Sequence, residues 1–279
     1  MPSSHHERGF DFDLVVTSPA NSRVKETVRM RRRHHRREAG ATLVEGFEEL
    51  RLAVGAGIRP RSVFFCPELA SHQAGAEEQL LRQCAQAGAA VVRVTSAVFE
   101  KLAYRQSPDG WLAVLPSVTT ELAHISLRPD SLVVVCESVE KPGNLGAILR
   151  TADAAGLAAV VAAGPVTDWG NPNLVRASKG ALFTVAVGEG TADEVLAWLR
   201  QERITVVATT PDSDRPYTAV DMTGATAIVV GAEQHGLSGT WLTGADERVH
   251  IPMFGHVDSL NVATTAAIVA YEAVRQRGL

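Results

Sequence analysis

Three loops of this chain place glycine, proline and small polar residues where an apolar run gives way to a helical pattern. The last reads Ile251-Pro252-Met253-Phe254-Gly255-His256-Val257-Asp258-Ser259-Leu260-Asn261. It is expected to leave a short strand over Val249–Met253 and to enter an Ala/Thr-rich helix from about Asn261 to Arg277. A Ser-Leu-Asn turn in that position makes a poor generic core. It is well suited to presenting backbone N–H groups and small polar side chains to a ligand. The other two loops are Pro142-Gly143-Asn144-Leu145-Gly146 and Gly231-Ala232-Glu233-Gln234-His235-Gly236-Leu237-Ser238. They follow the apolar runs Leu132–Val135 and Ala227–Val230.

Each of these residues also has an ordinary reading. A lone glycine is most simply a turn residue. Arg150, six residues after Asn144 across a loop-to-helix junction, would by itself be a surface or ion-paired side chain. Glu233 either caps the following helix or orients Asn144 or Arg150 beside a pocket. Ser259 and Asn261 are either simple helix caps or site residues. His235 and His256 sit in these loops without metal-ligand spacing, so no metal is expected.

Taken together the motifs carry a resemblance. Pro-Gly-Asn-Leu-Gly-Ala-Ile-Leu-Arg-Thr-Ala from Pro142, Val-Val-Gly-Ala-Glu and Gly-Leu-Ser from Val229, and Ile-Pro-Met with Ser-Leu-Asn-Val from Ile251 stand in that order. The set resembles the three ordered motifs of the SpoU/TrmH family, RNA 2′-O-ribose methyltransferases of the SPOUT superfamily. One motif alone is weak; three in order with matching spacing are specific. The likeness covers roughly residues 128 to 277. Lys141 stands where many relatives carry Asp, and Ala232 and Ala263 each replace a frequent Ser.

The resemblance implies S-adenosylmethionine as methyl donor and a deep C-terminal trefoil knot that holds it. It also implies a homodimer with the knot regions facing each other. Gly231, Ile251 and Leu260 match positions that bind the donor. Adenine is commonly held by backbone groups and apolar side chains. Thr209-Thr210, Gly231-Ala232-Glu233, and Ile251-Pro252-Met253 with Leu260 suit that task. No G-x-G-x-x-G follows a strand, which disfavours the common dinucleotide-type fold. The family's matching arginine approaches the target ribose and phosphate, a role that falls on Arg150. An arginine rarely gives up its proton. Its expected work is therefore to orient the 2′-hydroxyl and stabilise the developing alkoxide. The likeness tips Ser259, Asn261 and Glu233 toward the active site beside Asn144. Arg176 and Lys179 are expected to face RNA phosphate. The favoured substrate is 23S ribosomal RNA; a tRNA substrate, or a non-catalytic RNA-binding protein on the same body, are the alternatives.

Composition sets the outer limits. The chain has 279 residues, 46% hydrophobic and 21% charged, enough for one or two packed domains and not a disordered protein. No apolar run approaches the ~18 residues of a membrane helix, and the N-terminus lacks a signal-peptide core. Cys66, Cys84 and Cys136 are odd in number and form no C-x-x-C pair, as in a reducing cytoplasm. The net charge of −4 hides a basic cluster of Arg23, Lys25, Arg29, Arg31, Arg32, Arg33, Arg36 and Arg37. Such density repels itself unless a polyanion neutralises it, so RNA phosphate contact is expected there.

The elements that must position these residues alternate between strand and helix, a small α/β pattern followed by a larger one. Residues 1–18 read as a loose leader and 20–38 as one basic helix. Over 19–116, Val44-Glu45-Gly46 before a helix resembles the L30e/L7Ae-like substrate-binding domain that often precedes the SpoU catalytic domain. Residues 117–129 read as a linker. From 130 to 279 the pattern predicts a mostly parallel sheet with helices on both faces.

Overall fold

The computed structural model describes residues 10–232 and 235–278, and the chain divides into two units between Ser117 and Val118. In the first unit, strands β1 (Leu14–Val16), β2 (Ala41–Glu45), β3 (Ser62–Phe65), β4 (Ala90–Val94) and β5 (Trp111–Pro116) form one sheet. Their order is β1-β4-β3-β5-β2, parallel across β1, β4 and β3 and antiparallel across β3, β5 and β2. Leu43, Phe64, Val92, Phe99 and Leu112 are buried in its core. At ~1.5–3 kcal/mol for each large apolar side chain removed from water, this core accounts for most of what holds the sheet together.

Two expectations for this unit are corrected. The leader is shorter than 18 residues, because Leu14–Val16 pairs with Val92–Val94 at the sheet edge. Asp13 helps fix that edge: its Oδ2 accepts from the Val91 N–H at 2.7 Å. The basic segment is two helices, α1 (Ser22–Arg29) and α2 (Arg33–Ala39), meeting at a corner over Met30–Arg32. Asn21 caps α1 and Gly40, with φ of 53°, closes α2. Arg36 is buried, and its guanidinium donates to the Met30 and Arg31 carbonyls at 3.0 and 2.8 Å. Arg31 donates in turn to the Lys101 and Ala103 carbonyls at 2.7 and 2.6 Å. These two arginines staple the corner from inside and from outside. Helices α3 (Phe47–Gly55), α4 (Ala74–Gln86) and α5 (Ser96–Leu102) complete the unit.

In the second unit six strands form an all-parallel sheet. They are β6 (Leu132–Glu137), β7 (Ala159–Ala163), β8 (Ala186–Gly190), β9 (Thr205–Thr209), β10 (Thr226–Val230) and β11 (Glu247–Val249). Their order is β11-β9-β10-β6-β7-β8. The chain steps outward from β6 through β7 to β8, then returns to the other side of β6. Parallel sheets of this kind open a crevice at the carboxyl ends of the strands where the winding reverses, here β6 and β10. The connecting helices are α6 (Pro142–Ala154), α7 (Pro172–Ser178), α8 (Ala192–Gln201), α9 (Gly239–Gly244) and α10 (Val262–Gln276). Gly146 lets α6 and α7 touch: a Cβ there would lie 2.4 Å from the Ala177 Cβ. The last turn of α10 is tied down by Gln276 to Val220 and Met222, and by Arg277 to the carbonyls of Asp130, Met222 and Gly224.

Two further expectations change. Residues 117–129 are no free linker. Leu122 and Ile125 pack over Gly188, and the Glu189 N–H donates to the Thr120 carbonyl at 2.9 Å. Beyond α7, Lys179 and Gly180 turn left-handed with φ of 49° and 90°, and a 3-10 turn, Ala181–Phe183, leads to β8. The strand expected over Val249–Met253 stops at Val249. Pro252 has no N–H to continue a ladder.

Candidate active site

The carboxyl ends of β9, β10 and β11 surround a cavity of about 220 Å³. Thr209, Gly231, Ala232, Ile251, Met253 and Leu260 all line it, as does Ser259. The fold therefore gathers at one place residues that are up to fifty positions apart. Glu233 lies outside the described residues. Thr209 is partly spent on structure, its hydroxyl donating to the Val229 carbonyl at 2.9 Å. Gly231 sits where the loop folds back on itself. A Cβ there would come within 2.4 Å of the Gly236 carbonyl carbon and oxygen. The fold-back is closed by the Gly236 N–H donating to the Ala232 carbonyl at 2.9 Å.

Asn144 and Asn261 meet across the crevice. The Asn261 amide nitrogen donates to Asn144 Oδ1 at 3.2 Å, while its own oxygen caps α10 by accepting from the Ala263 N–H at 3.0 Å. Asn261 is thus both a cap and a bridge. Asn144 belongs to the first turn of α6, where helix N–H groups favour developing negative charge. Arg150 is exposed on α6 and does not line the cavity. It stands one turn beyond Gly146, the residue at which α6 meets α7. Arg176 and Lys179, both exposed, lie at the end of α7. The sequence therefore names two neighbouring groups: a cavity, and a cationic surface on α6 and α7.

Sequence reasoning missed two residues. Glu137, buried at the end of β6, accepts from the Ser238 N–H at 2.7 Å and so ties down the far end of the Gly231 loop. It stands just past the apolar run Leu132–Val135, and only its hydrogen bond to the loop between β10 and α9 gives it a role. His250 lines the cavity, and its Nδ1 is buried without a hydrogen-bond partner among the described residues. An orphaned polar atom of this kind costs ~1–3 kcal/mol. The apolar walls of Val230, Ile251 and Leu260, beside the polar Thr210, Asp258 and Ser259, make the cavity fit a ligand with an apolar face and polar edges, such as an adenine nucleoside.

Other chemistries fit less well. No cluster of three or more His, Cys, Asp or Glu suited to a metal occurs among the described residues. Cys136 at the end of β6 is fully buried, and burial pushes its thiol up to about 12, so it is no neutral-pH nucleophile. In the first unit, the expectation that Arg36 contacts RNA is corrected, because its guanidinium is buried on the corner carbonyls. Arg31 is likewise committed to carbonyls of the α5 terminus. Arg23, Arg29, Arg32, Arg33 and Arg37 are exposed.

Comparison with known proteins gives a consistent match. The model of the SpoU rRNA Methylase family matches residues 131–271, and that of the MRM3-like substrate binding domain matches residues 21–113. The chain is 34% identical over 251 residues to the 23S rRNA (uridine(2479)-2′-O)-methyltransferase of Streptomyces viridochromogenes, covering 88% of this chain and 86% of that protein. Among solved structures, an RNA 2′-O ribose methyltransferase aligns with a TM-score of 0.81 at 38% identity, covering 95% of this chain and 100% of the other. The SpoU methyltransferase AviRb of Streptomyces viridochromogenes, in complex with the cofactor AdoMet, aligns with a TM-score of 0.83 at 31% identity over 92% of this chain and 99% of that one.

Proposed function

This chain belongs to the SpoU rRNA methylase family, and from that premise we propose that it moves the methyl group of S-adenosylmethionine to a ribose 2′-hydroxyl of 23S ribosomal RNA. The observation that carries the reading is the cavity at the ends of β9, β10 and β11, with the Asn144–Asn261 bridge at its side. S-adenosylmethionine supplies an activated methyl group on a sulfonium. The protein's task is then to bind, align and manage one proton. Gly231, Ala232, Ile251, Met253 and Leu260 hold the adenosine part, with Thr209 setting the strand end. The bridged asparagines and Ser259 fix the loop next to the reacting centre. Arg150 lies on the RNA side. It aligns the target ribose and its phosphate and stabilises the alkoxide, while the proton leaves to water or phosphate. Arg176, Lys179 and the exposed arginines of α1 and α2 hold flanking phosphates.

Two parts of this reading concern assembly and place. The loop after β11 leaves Met253, Phe254 and Val257 exposed, Phe254 by 98%, and Tyr271 is exposed on α10. Apolar groups displayed beside the site suit a symmetric dimer in which two copies cover them. No helix among the described residues is long and apolar enough to cross a membrane. Work in the cytoplasm is part of the proposal, and a ribosomal RNA substrate supports it. The trefoil knot implied by the motifs belongs to the same reading.

The test joins calorimetry with S-adenosylmethionine, light scattering, and mapping of ribose methylation. Donor binding unaffected by chelator, a dimer mass at micromolar concentration and a new 2′-O-methyl mark in 23S RNA are the expected results. Absence of heat at millimolar donor with folded protein overturns the donor assignment. A mark found only in tRNA overturns the substrate.

A second expected result concerns Glu137. Glu137→Ala removes the acceptor of the Ser238 N–H and should weaken donor binding about tenfold, the scale of one hydrogen bond to a charged group. Glu137→Gln keeps an acceptor oxygen and should stay within about threefold. Equal losses in the two variants would show that the charge, and not the bond, holds the loop.

A further inference from the structure

The corner between α1 and α2 contains a notch of about 430 Å³, lined by Val28, Arg29, Arg32 and His35. Val28 supplies a half-buried apolar floor. Arg29 and Arg32, both exposed, frame it with aliphatic stems and guanidinium ends. The His35 ring lines the notch, its Nδ1 3.4 Å from Glu38 Oε2 and its centroid 3.9 Å from that of the exposed His34 ring, the two planes tilted by 42°. The corner is stapled by Arg36 to the Met30 and Arg31 carbonyls and by Arg31 to the end of α5. The notch is therefore pre-formed, and a ligand entering it does not have to order the backbone.

We infer that this notch takes one unstacked base of single-stranded RNA, with Arg29 and Arg32 on the phosphates beside it. The inference rests on RNA as the substrate and adds which form of RNA this unit holds. A duplex offers its bases only as edges in grooves. A splayed base presents a flat face, which packs on imidazole and guanidinium planes over an apolar floor. The cluster of arginines therefore has two jobs. Arg31 and Arg36 build the corner, and Arg29 and Arg32 use it.

The probes are a short single-stranded RNA of mixed sequence and the same strand with one abasic position at its centre. They are titrated against the full chain by fluorescence anisotropy at several salt concentrations. The intact strand should bind several-fold more tightly than the abasic one. Val28→Trp, which fills the notch, should cost about tenfold for the intact strand and erase the difference between the strands. Arg29→Ala with Arg32→Ala should lower the log–log salt slope by about 1.4, the loss of two single-strand phosphate contacts. His35→Ala reduces the intact-to-abasic ratio without touching the floor, and serves if Val28→Trp fails to fold. Equal affinity of the wild-type chain for both strands overturns the notch, as does full discrimination in Val28→Trp. Donor calorimetry on the same proteins separates the outcomes: unchanged donor binding with lost discrimination isolates the notch, and absent donor binding in the wild type reports failure of the methyltransferase reading.

Discussion

Arg150→Ala is expected to lower methyl transfer by on the order of 10²–10³-fold while leaving donor affinity within about twofold. The split follows from where the residue sits. The cavity proposed for the donor is built by the ends of β9, β10 and β11, and Arg150 is exposed on α6 outside it. Its guanidinium can meet the ribose and phosphate of RNA but not the adenosine of the donor. Arg150→Lys should recover only part of the rate, because an ammonium is a point charge and cannot make the paired bonds of a guanidinium. Single-turnover rates at saturating donor, set beside calorimetric donor binding, check both halves. A parallel loss of donor affinity would place Arg150 in the cavity and contradict the geometry.

Gly231→Ala should abolish useful donor binding, with a loss of more than about tenfold. The added methyl has nowhere to go. It would meet the Gly236 carbonyl at 2.4 Å and the Leu237 nitrogen at 2.8 Å, both backbone atoms that no rotamer change can move. The fold-back between Ala232 and Gly236 must open, and with it the cavity wall. Overpacking of this kind costs ~1–3 kcal/mol, enough to spoil a binding loop without unfolding a domain. Gly239→Ala, where a Cβ meets nothing within 4 Å, is the matched control. Donor titration with a parallel melting curve distinguishes a lost wall from a lost fold. Retained affinity in Gly231→Ala would mean the loop opens on its own.

The site was legible because its chemistry is largely backbone chemistry. A cavity walled by peptide groups needs glycine, proline and small residues at fixed places, and those leave a readable trace at Gly231, Ile251 and Leu260. Side chains that work through tertiary register leave none. Glu137 follows an apolar run and shows no role until the loop after β10 folds back and its Ser238 N–H reaches the carboxylate. His250 reads as part of the strand expected over Val249–Met253, and only the fold sets it in the lining of the cavity. The arginine cluster misled in the same way. Its density was visible, but not that Arg36 turns inward to carbonyls of its own corner. Short elements were the other loss. Three residues, Leu14–Val16, carry too little pattern to be told from a leader, and only pairing with β4 makes them a strand.

The anchoring of α10 has a consequence for biosynthesis. The first unit has every strand of its sheet once Pro116 has emerged from the ribosome. The second unit cannot finish that early. One wall of its cavity comes from Leu260, just before α10, and from Val262 and Thr265 on it, and that helix is tied down by Arg277 to carbonyls at Asp130, Met222 and Gly224. Domains fold as units as they emerge, N-terminal first. The nascent chain therefore passes through a stage in which its first unit is complete and its second is an open sheet waiting for one last helix.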